Sequence, residues 1–379
     1  PGSAANHAAA EYIAGALAGM GYEVEEQRFD CVDWRLDGVE LWMGDGPLPV
    51  TANPYSPPCD VTAPTVAAGS LEELAAAALT GRVALLHGAL TAMPLFPRHY
   101  PFFSVEEHQR IFDLLVAGRP RAIIAVSSMT GRPAPIFEDG DLTIPSVTVS
   151  ADVGAILLAA AGAPVGVRVH SSRRPGYGAN VIGRRPYAAR DKIILCAHFD
   201  TKPGTPGALD NAAGVAALLA LAERLAAGGP PTNLEFVAFN GEDHYAAPGE
   251  VVYLAGCAGE FGRIALAVNL DGLGLRGSNT TIAFFACPEA WAERVRRRLP
   301  AHPTVAETEP WPQSDHSLFA MQGVPSVALT SGGVQEAIDR LIHTPADTLD
   351  GVDETLLAAA VDFLEETLTQ DGLPRGEGI

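Results

Sequence analysis

Three strongly apolar runs between residues 192 and 271 constrain the fold most, because each ends in a polar side chain. KIILCA precedes His198, LEFVAF precedes Asn240, and IALAVNL precedes Asp271. Runs of this length and composition indicate buried β-strands. In an open parallel sheet, the carboxyl ends of the strands converge on one crevice, which is where ligands bind. The sequence therefore predicts an α/β fold with a single site at the strand ends.

The residues at and beyond these strand ends include acids and histidines in numbers that suit metal binding. The candidate ligands and catalytic acids are His198, Asp200, Asp210, Glu242, Asp243, Asp271 and His343. Two neutral imidazoles and three carboxylates suit two zinc ions that share one bridging carboxylate. A single tetrahedral catalytic zinc would use fewer protein ligands. We therefore expect a metal-dependent hydrolase with two metal ions.

Some of these residues allow a second interpretation when each is taken alone. His198 and Asp200 point to the same side of a strand. His198 could therefore bind metal while Asp200 orients an imidazole, although a plain polar strand end is the alternative. Asp210 follows a loop rich in glycine and proline and opens a helix, so it could simply cap that helix. Its place at the mouth of the sheet favours a carboxylate that bridges two cations.

Glu242 and Asp243 are neighbours and cannot both bind the same metal ion comfortably. We expect one acid to bind metal while the other accepts a proton from the attacking water; an ordinary exposed turn is the alternative. Asp271 follows a buried strand, and a charge placed there needs a partner or a metal ion. His343 lies in a loop, where a histidine by itself would indicate little.

Two further histidines lie close to these residues in the sequence. Ser314, Asp315 and His316 precede the last buried strand and could support the site by hydrogen bonding. We expect His316 to be structural or to line the substrate site rather than to bind metal. His244, which directly follows the acid pair, is equally ambiguous.

The first half of the chain carries few residues of the metal-binding types in a useful spacing. The proline-rich segment PLPVTANPYSPPCDVTAP interrupts the α/β pattern, and short apolar strands follow it. The histidines between this segment and residue 172 are not spaced like metal ligands; they are His87, His99, His108 and His170. We expect residues 1–45 and 173–379 to form a discontinuous catalytic domain, with residues 46–172 as an inserted, non-catalytic domain.

Composition narrows the function further. A chain of 379 residues with 47% hydrophobic and 18% charged residues fits a well-packed α/β protein, and its length favours two domains. The net charge of −20 argues against nucleic acid or an anionic membrane as a partner. The five cysteines show no CxxC spacing, so no disulfide is indicated. No run has transmembrane length, and no signal peptide is seen, although a leader could have been removed.

Seven motifs, taken in order, resemble those of one enzyme family. They are PGSAANHAAAEYI, AHFDT, GALDNAAGVAALL, FNGED, NLDG, SDHSLF and HTPADT. The chain is similar to the two-zinc aminopeptidase family that also includes glutamate carboxypeptidase, the transferrin receptor and glutaminyl cyclases. The resemblance covers the N-terminal helix and residues 175–370, and the inserted segment resembles the protease-associated domain of many members. It implies a three-layer fold whose mostly parallel central sheet is flanked by helices.

The resemblance also implies a role for each candidate residue. His198 and Asp271 would hold one zinc ion, Asp243 and His343 the other, with Asp210 bridging, Asp200 orienting His198 and Glu242 as general base. The family usually has Glu-Glu where this chain has Glu242 and Asp243. Because aspartate is shorter by one methylene, the second metal could be held more weakly or in an altered geometry.

The function that the resemblance implies is an exopeptidase that removes the N-terminal residue from peptides with a free N-terminus. No nucleic acid or membrane partner is expected, and the family favours a secreted or cell-envelope location. A glutaminyl cyclase with one zinc ion is an alternative, and so is a carboxypeptidase. A carboxypeptidase would need a cationic clamp, for which Arg276 and Arg340 are the nearest candidates in sequence. A receptor-like module on an inactive scaffold is disfavoured by the complete ligand set.

Overall fold

The computed structural model describes residues 1–128, 134–338, 340–370 and 373–374. The chain divides into two compact units. The first unit comprises residues 1–31 and 177–379, and the second comprises residues 32–176. None of the five cysteines forms a disulfide. Within the described residues, no helix combines the length and the apolar character needed to cross a bilayer.

Both boundaries of the second unit differ from the predicted ones. The first division falls after residue 31 rather than after residue 45, and the second falls after residue 176 rather than after residue 172. The chain leaves the first unit inside one long strand, Glu23–Met43, and returns inside another, Pro164–Arg185. A strand that continues across a boundary has no break in composition to reveal it. The proline-rich segment lies within the second unit and does not mark the division.

The elements are numbered here in chain order. The strands are β1 (Glu23–Met43), β2 (Gly46–Leu48), β3 (Thr51–Ala52), β4 (Cys59–Ala68), β5 (Val83–Leu86), β6 (Ala122–Val126), β7 (Ser146–Val149), β8 (Pro164–Arg185), β9 (Lys192–His198), β10 (Asn233–Phe239), β11 (Ile264–Leu270), β12 (Thr280–Phe285), β13 (Val305–Glu307) and β14 (Ser326–Ser331). The α-helices are α1 (Ala4–Gly19), α2 (Leu71–Ala76), α3 (Glu106–Gly118), α4 (Ala151–Ala159), α5 (Ala213–Gly228), α6 (Pro248–Gly256), α7 (Glu289–Arg296), α8 (His316–Ala320), α9 (Val334–Ile338) and α10 (Glu354–Gln370).

The first unit is built on a mostly parallel sheet. Its strand order is β13, β12, β14, β11, β9, β10 and then residues 181–185 of β8. Strand β9 is parallel to both of its neighbours, β10 and β11, and β11 is parallel to β14. The antiparallel pairs are β12 with β14 and β8 with β10. The predicted fold class, a mostly parallel central sheet flanked by helices, is confirmed.

Helices pack on both faces of this sheet. Alternate residues of β10, including Phe236, join one hydrophobic core with residues of α1, α5 and α10. Phe239 points to the other face, where its ring contacts Tyr253 of α6 at 5.0 Å between centroids. The Tyr253 ring in turn contacts Phe319 of α8. Because both faces are covered, the strands are mostly apolar, and the buried Glu235 of β10 is held by ion pairs.

Helix α5 approaches the sheet closely because its first turn is built of small residues. A side chain on Gly214 would place its Cβ 2.4 Å from the carbonyl oxygen of Leu270 and 2.1 Å from Oδ1 of Asn211. Asn211 Nδ2 donates to that same carbonyl at 2.8 Å. This close contact fixes the turn before α5 against the end of β11, where predicted site residues lie.

The second unit has its own sheet and core. Strands β4, β5, β6 and β7 are parallel neighbours in that order, and β3 pairs with β7. Strand β4 also pairs antiparallel with residues 164–169 of β8. Among the described residues, the groups that could hold a metal ion all come from the first unit. The similarity of the second unit to a protease-associated domain stays a prediction.

Candidate metal centre

The topology brings the predicted residues to one edge of the first unit's sheet. His198 is the last residue of β9, which lies between β10 and β11. Glu242 and Asp243 follow β10, and Asp271 directly follows β11. Because the three strands are parallel, their carboxyl ends lie side by side. Loops from elsewhere in the chain add the remaining residues, Asp210 before α5 and His343 after α9.

Asp210 lies between the two histidines and offers one carboxylate oxygen to each. Its Oδ1 is 3.2 Å from Nε2 of His198, and its Oδ2 is 2.9 Å from Nε2 of His343. Asp271 Oδ1 is 3.4 Å from Nε2 of His198, and Asp243 Oδ1 is 3.2 Å from Nε2 of His343. The structure therefore brings all five predicted ligands together in two groups that share Asp210.

Each of these groups has the compactness that a metal ion requires. Ligand atoms of His198, Asp210 and Asp271 lie within 4.8 Å of one another, as do those of Asp210, Asp243 and His343. A third group of the same compactness consists of His198, Glu242 and Asp243. Within it, Oε2 of Glu242 is 3.9 Å from Nε2 of His198. The predicted division of roles between Glu242 and Asp243 is compatible with these positions and stays a prediction.

Asp200 contacts its neighbours differently from the expectation. Nδ1 of His198 donates to the backbone carbonyl of Asp200 at 3.1 Å, whereas the Asp200 carboxylate is 3.9 Å away. That carboxylate accepts hydrogen bonds from the backbone N–H groups of Gly241 at 2.6 Å and Glu242 at 3.2 Å. Strand β9 ends at His198, and beyond it the backbone carbonyl of Asp200 is nearer to the ring than its side chain. The predicted orienting role therefore belongs to the main chain of Asp200 in this geometry.

The electrostatic field of the cluster favours positive charge at both imidazoles. Burial by itself would lower the pKa of His198, but the charges of Asp271 and Glu242 and the contact with Asp210 raise this pKa well above its usual value. Burial likewise opposes the charged form of His343, yet Asp243 and Asp210 raise its pKa to about 10. A bound metal ion meets the same demand for positive charge, with each imidazole as a neutral ligand.

The carboxylates differ according to their partners. Burial would raise the pKa of Asp210, but hydrogen bonds from His198 and His343 hold it below its ordinary value. The pKa of Asp243 is also lowered, because His343 and Lys202 outweigh burial and the repulsion of Asp210. Burial raises the pKa of Glu242 well above the ordinary value, and the nearby Asp243 charge adds to that effect.

The donor set fits a metal ion on a further observation. Oδ2 of Asp243 is buried and has no hydrogen-bond partner among the described residues. A buried carboxylate oxygen is costly to leave without a partner, and a cation would satisfy it. Imidazole nitrogens and carboxylate oxygens are also the ligands that zinc uses in catalytic sites.

Comparisons with known proteins agree with this geometry. The family model described as peptidase family M28 matches residues 180–368. This chain carries a peptidase family M28 domain. The resemblance inferred from the seven motifs is thereby confirmed. Every one of the clustered residues, from His198 to His343, lies inside the matched segment.

Relatives of the M28 domain extend the similarity over nearly the whole chain. The probable lipoprotein aminopeptidase LpqL of Mycobacterium tuberculosis is 25% identical over 426 aligned positions, which cover 99% of this chain and 82% of that protein. The solved structure of an aminopeptidase from Aneurinibacillus sp. strain AM-1 superposes with a TM-score of 0.77 at 23% identity and covers 100% of this chain and 91% of that chain. BSAP, described as a zinc aminopeptidase from Bacillus subtilis, gives a TM-score of 0.76 at 22% identity, with coverage of 97% and 89%. These structural similarities establish the fold.

Two further histidines near the M28 site contact the main chain through one ring nitrogen each. Nε2 of His316 donates to the carbonyl of Trp311 at 2.9 Å, and its ring lies 4.2 Å from that of Phe285. Nδ1 of His244 accepts from the backbone N–H of Ala246 at 3.2 Å. Neither ring belongs to a group of metal-ligating atoms among the described residues. The expectation that His316 is not a ligand stays a prediction.

Three further residues contact the ligands of the M28 site. The sequence predicted support by hydrogen bonding for Ser314 and gave no role to Lys202 or Asp347. Lys202 Nζ donates to the backbone carbonyl of Asp243 at 3.0 Å and lies 3.5 Å from its Oδ1. Ser314 Oγ donates to Asp271 Oδ2 at 2.5 Å. Asp347 accepts from the backbone of the turn that carries Asp210. The motifs SDHSLF and HTPADT contain Ser314 and Asp347 and were the signal available, whereas no pattern pointed to Lys202.

Proposed function

We propose that this protein is a metal-dependent aminopeptidase that hydrolyses the N-terminal peptide bond of peptides. The observation that carries the proposal is the position of Asp210, whose two oxygens face the imidazoles of His198 and His343 separately. The M28 domain supports a peptidase. The names of the relatives, which include an aminopeptidase from Mycobacterium tuberculosis, support attack at the N-terminal end of the substrate.

The ligand arrangement supports two zinc ions. His198 and Asp271 would hold one ion, Asp243 and His343 would hold the other, and Asp210 would contact both. The description of BSAP as a zinc enzyme supports the choice of metal. When bound, zinc ions polarise the scissile carbonyl and make water a stronger nucleophile near neutral pH.

Glu242 would be the group that moves the proton. Its carboxylate lies beside the first ligand group, 3.9 Å from Nε2 of His198, and is partly exposed. It would accept a proton from the attacking water and deliver that proton to the leaving amine. The two N–H groups that bind the Asp200 carboxylate belong to Gly241 and to Glu242 itself, so the base is held at its backbone.

A free substrate amine suits the charge of this site. The surrounding carboxylates attract an ammonium group and repel a terminal carboxylate. A carboxypeptidase would need a cation for that carboxylate, and the guanidinium of Arg276 is instead bound to the backbone carbonyls of Asp350 at 2.8 Å and Val352 at 2.6 Å. These contacts occupy Arg276 at the main chain, which disfavours it as that clamp.

The remaining parts of the proposal concern location and the second unit. The relative from Mycobacterium tuberculosis is named a lipoprotein, which supports action in the cell envelope or outside the cell. Residues 32–176 would form a non-catalytic, protease-associated-like domain, since their described residues include no group that could hold a metal ion.

A substrate panel with metal analysis tests the proposal. Chromogenic aminoacyl substrates with free and with blocked amino groups should be offered to protein whose zinc content has been measured. We expect cleavage of the free-amine substrates alone, and a zinc content of two ions per chain at full activity. Full activity with one tightly bound ion would contradict the two-zinc assignment. Cyclisation of N-terminal glutamine without peptide cleavage would replace the peptidase with a glutaminyl cyclase.

A further inference from the structure

One buried side-chain amide joins both ends of the loop that carries Glu242 and Asp243. This loop, taken as residues 240–249, runs from the end of β10 into the first turn of α6, which begins at Pro248. Oδ1 of Asn180, on β8, accepts a hydrogen bond from the backbone N–H of Asn240 at 3.0 Å. Nδ2 of the same side chain donates to the backbone carbonyl of Gly249 at 2.8 Å. The Asn180 amide therefore closes the loop into a ring.

The two ends of the loop approach each other so closely that only glycine fits at position 249. A Cβ atom on Gly249 would lie 2.2 Å from the carbonyl oxygen of Asn240 and 2.4 Å from Oδ1 of Asn180. Within the loop, Gly241 adopts a φ of +119°, which residues other than glycine rarely adopt. Both glycines are thus needed for the closed form that the Asn180 amide holds.

A second amide contact holds the start of the same loop. Asn6, in α1, and Asn240 exchange side-chain hydrogen bonds, at 3.0 Å from Asn6 Nδ2 and 2.9 Å from Asn240 Nδ2. Asn180 and Asn240 are fully buried, and Asn180 Nδ2 also donates to Gln27 at 3.0 Å. Buried amides are costly unless their hydrogen bonds are made. The amides of Asn180 and Asn240 make these hydrogen bonds, which fix the position of the loop relative to β10.

We propose that Asn180 is a positioning residue for the catalytic loop, and that its amide sets the places of Glu242 and Asp243 relative to His198. The inference rests on the proposed function, because those two acids are taken as general base and metal ligand. His198 is the register partner of Phe239, the residue directly before the loop. A shift of the loop would therefore change the distance between the acids and His198 while the strands stay in place.

The chain offers a matched control at the opposite end of the same strand. Asn233 begins β10, and its Oδ1 accepts from the backbone N–H of Tyr187 at 2.7 Å. Its Nδ2 donates to the carbonyls of Ala189 at 2.8 Å and Asp191 at 2.9 Å. Asn233 thus holds a loop in the same way as Asn180, but at the end of β10 that is remote from the site. Loss of either amide should cost stability, and only loss of Asn180 should affect the chemistry.

The test compares Asn180→Ala with Asn233→Ala in the full chain, with thermal melting, zinc affinity and kinetics on each. For Asn180→Ala we expect kcat at saturating zinc to fall on the order of 10–100-fold, as for other residues that orient metal ligands, with weaker zinc binding and little change in KM. Asn233→Ala should melt earlier while its kcat and zinc affinity stay close to those of the unaltered protein. Equal kcat and zinc affinity in the two folded variants would overturn the proposal.

A third variant covers the case in which Asn180→Ala does not fold. Asn6→Ala removes the contact to Asn240 from the less buried helix α1, and we expect it to lower kcat and zinc affinity in the same direction but less. An unchanged kcat in folded Asn6→Ala, with Asn180→Ala unfolded, would also overturn the proposal. If the unaltered protein cleaves no aminoacyl substrate, the proposed function fails instead, and the zinc affinities alone then judge Asn180.

Discussion

The carboxylate of Asp347 holds the backbone of Asp210. Oδ2 of Asp347 accepts from the N–H of Asp210 at 3.1 Å, and its Oδ1 accepts from the N–H of Leu209 at 2.7 Å. Asp347 is fully buried, and burial raises its pKa against the opposing effect of these two hydrogen bonds. The pair of contacts sets the direction in which the Asp210 side chain leaves the chain, between the two imidazoles.

Replacing Asp347 with asparagine should disturb this arrangement while keeping its shape. An amide has one acceptor oxygen, so Asp347→Asn keeps only one of the two backbone hydrogen bonds. We expect zinc affinity to fall on the order of 10–100-fold, as for other partners of metal ligands. Calorimetric titration of the metal-free protein measures this. The neighbouring exposed acid is the control, and Asp350→Asn should bind zinc normally; equal affinities in both variants would contradict the prediction.

The assignment of Glu242 as general base is tested by its amide. Glu242→Gln keeps size and hydrogen bonding but cannot accept the proton, so metal content should persist while kcat falls about 10²–10⁴-fold. Steady-state kinetics with metal analysis of the same sample measures both. Glu223→Gln, on the exposed side of α5, should leave kcat unchanged. Near-normal kcat in metal-loaded Glu242→Gln would show that another group moves the proton.

Substitution of Asp243 should lower metal binding, whereas substitution of Glu242 should lower kcat with the metal retained. Asp243→Ala removes a ligand from the group that includes His343, so metal occupancy after dialysis should fall. Activity should recover in part at high zinc concentration, because the other ligands of that ion remain. Metal content equal to that of the unaltered protein would contradict the assignment of Asp243 as a ligand.

Ser314 should influence the metal through Asp271. Its Oγ donates to Asp271 Oδ2 at 2.5 Å, and Asn269 Nδ2 donates to that same Oγ at 2.7 Å. In Ser314→Ala the Asp271 carboxylate loses this restraint, and we expect zinc affinity to fall about tenfold. Ser326→Ala is the matched control, since Ser326 is buried on β14 and donates to the carbonyl of Val324. The prediction is wrong if the two serine variants bind zinc with the same affinity.

Glu235, which lies outside the metal centre, should make the free energy of unfolding depend on pH. Its buried carboxylate is bound by Arg184 at 2.8 Å, Lys192 at 3.3 Å and the hydroxyl of Tyr253. Burial would raise the pKa of Glu235, but Lys192, Tyr253 and Arg184 together lower it below the ordinary value. A lowered folded-state pKa contributes stability above the unfolded-state pKa, and this is lost as pH falls through the folded-state pKa.

The measurement is the free energy of unfolding of Glu235→Gln against that of the unaltered protein. At pH 7 we expect a loss of about 1.5–3 kcal/mol, the usual range for hydrogen bonds to charged groups. The difference between the two proteins should shrink as pH falls below about 4.3, the ordinary pKa of glutamate in the unfolded chain, and should vanish below the lowered folded-state pKa of Glu235. A difference that stays constant between pH 7 and pH 3 would contradict the prediction.

The sequence by itself predicted the fold class, which is confirmed, and a set of candidate residues that the structure brings together. Parallel strands that are buried on both faces are mostly apolar, so KIILCA and LEFVAF were recognisable without a partner strand. Metal binding needs particular side-chain types, so acids and histidines at strand ends stood out. The motifs indicated a two-zinc aminopeptidase family, which the match to peptidase family M28 supports.

Only the tertiary structure decided how those residues meet. The group of Asp200 that contacts the His198 ring, its carbonyl rather than its carboxylate, depends on the backbone beyond the end of β9. The position of Asp210 between the two imidazoles depends on Asp347, which is distant in the sequence. Asn180 lies beside the 240–249 loop because β8 pairs with β10. Local sequence periodicity does not indicate which distant strands pair. The unit boundaries at residues 31 and 176 fall within continuous strands. Local sequence sets what each segment can form, whereas strand order and register set which side chains share a site.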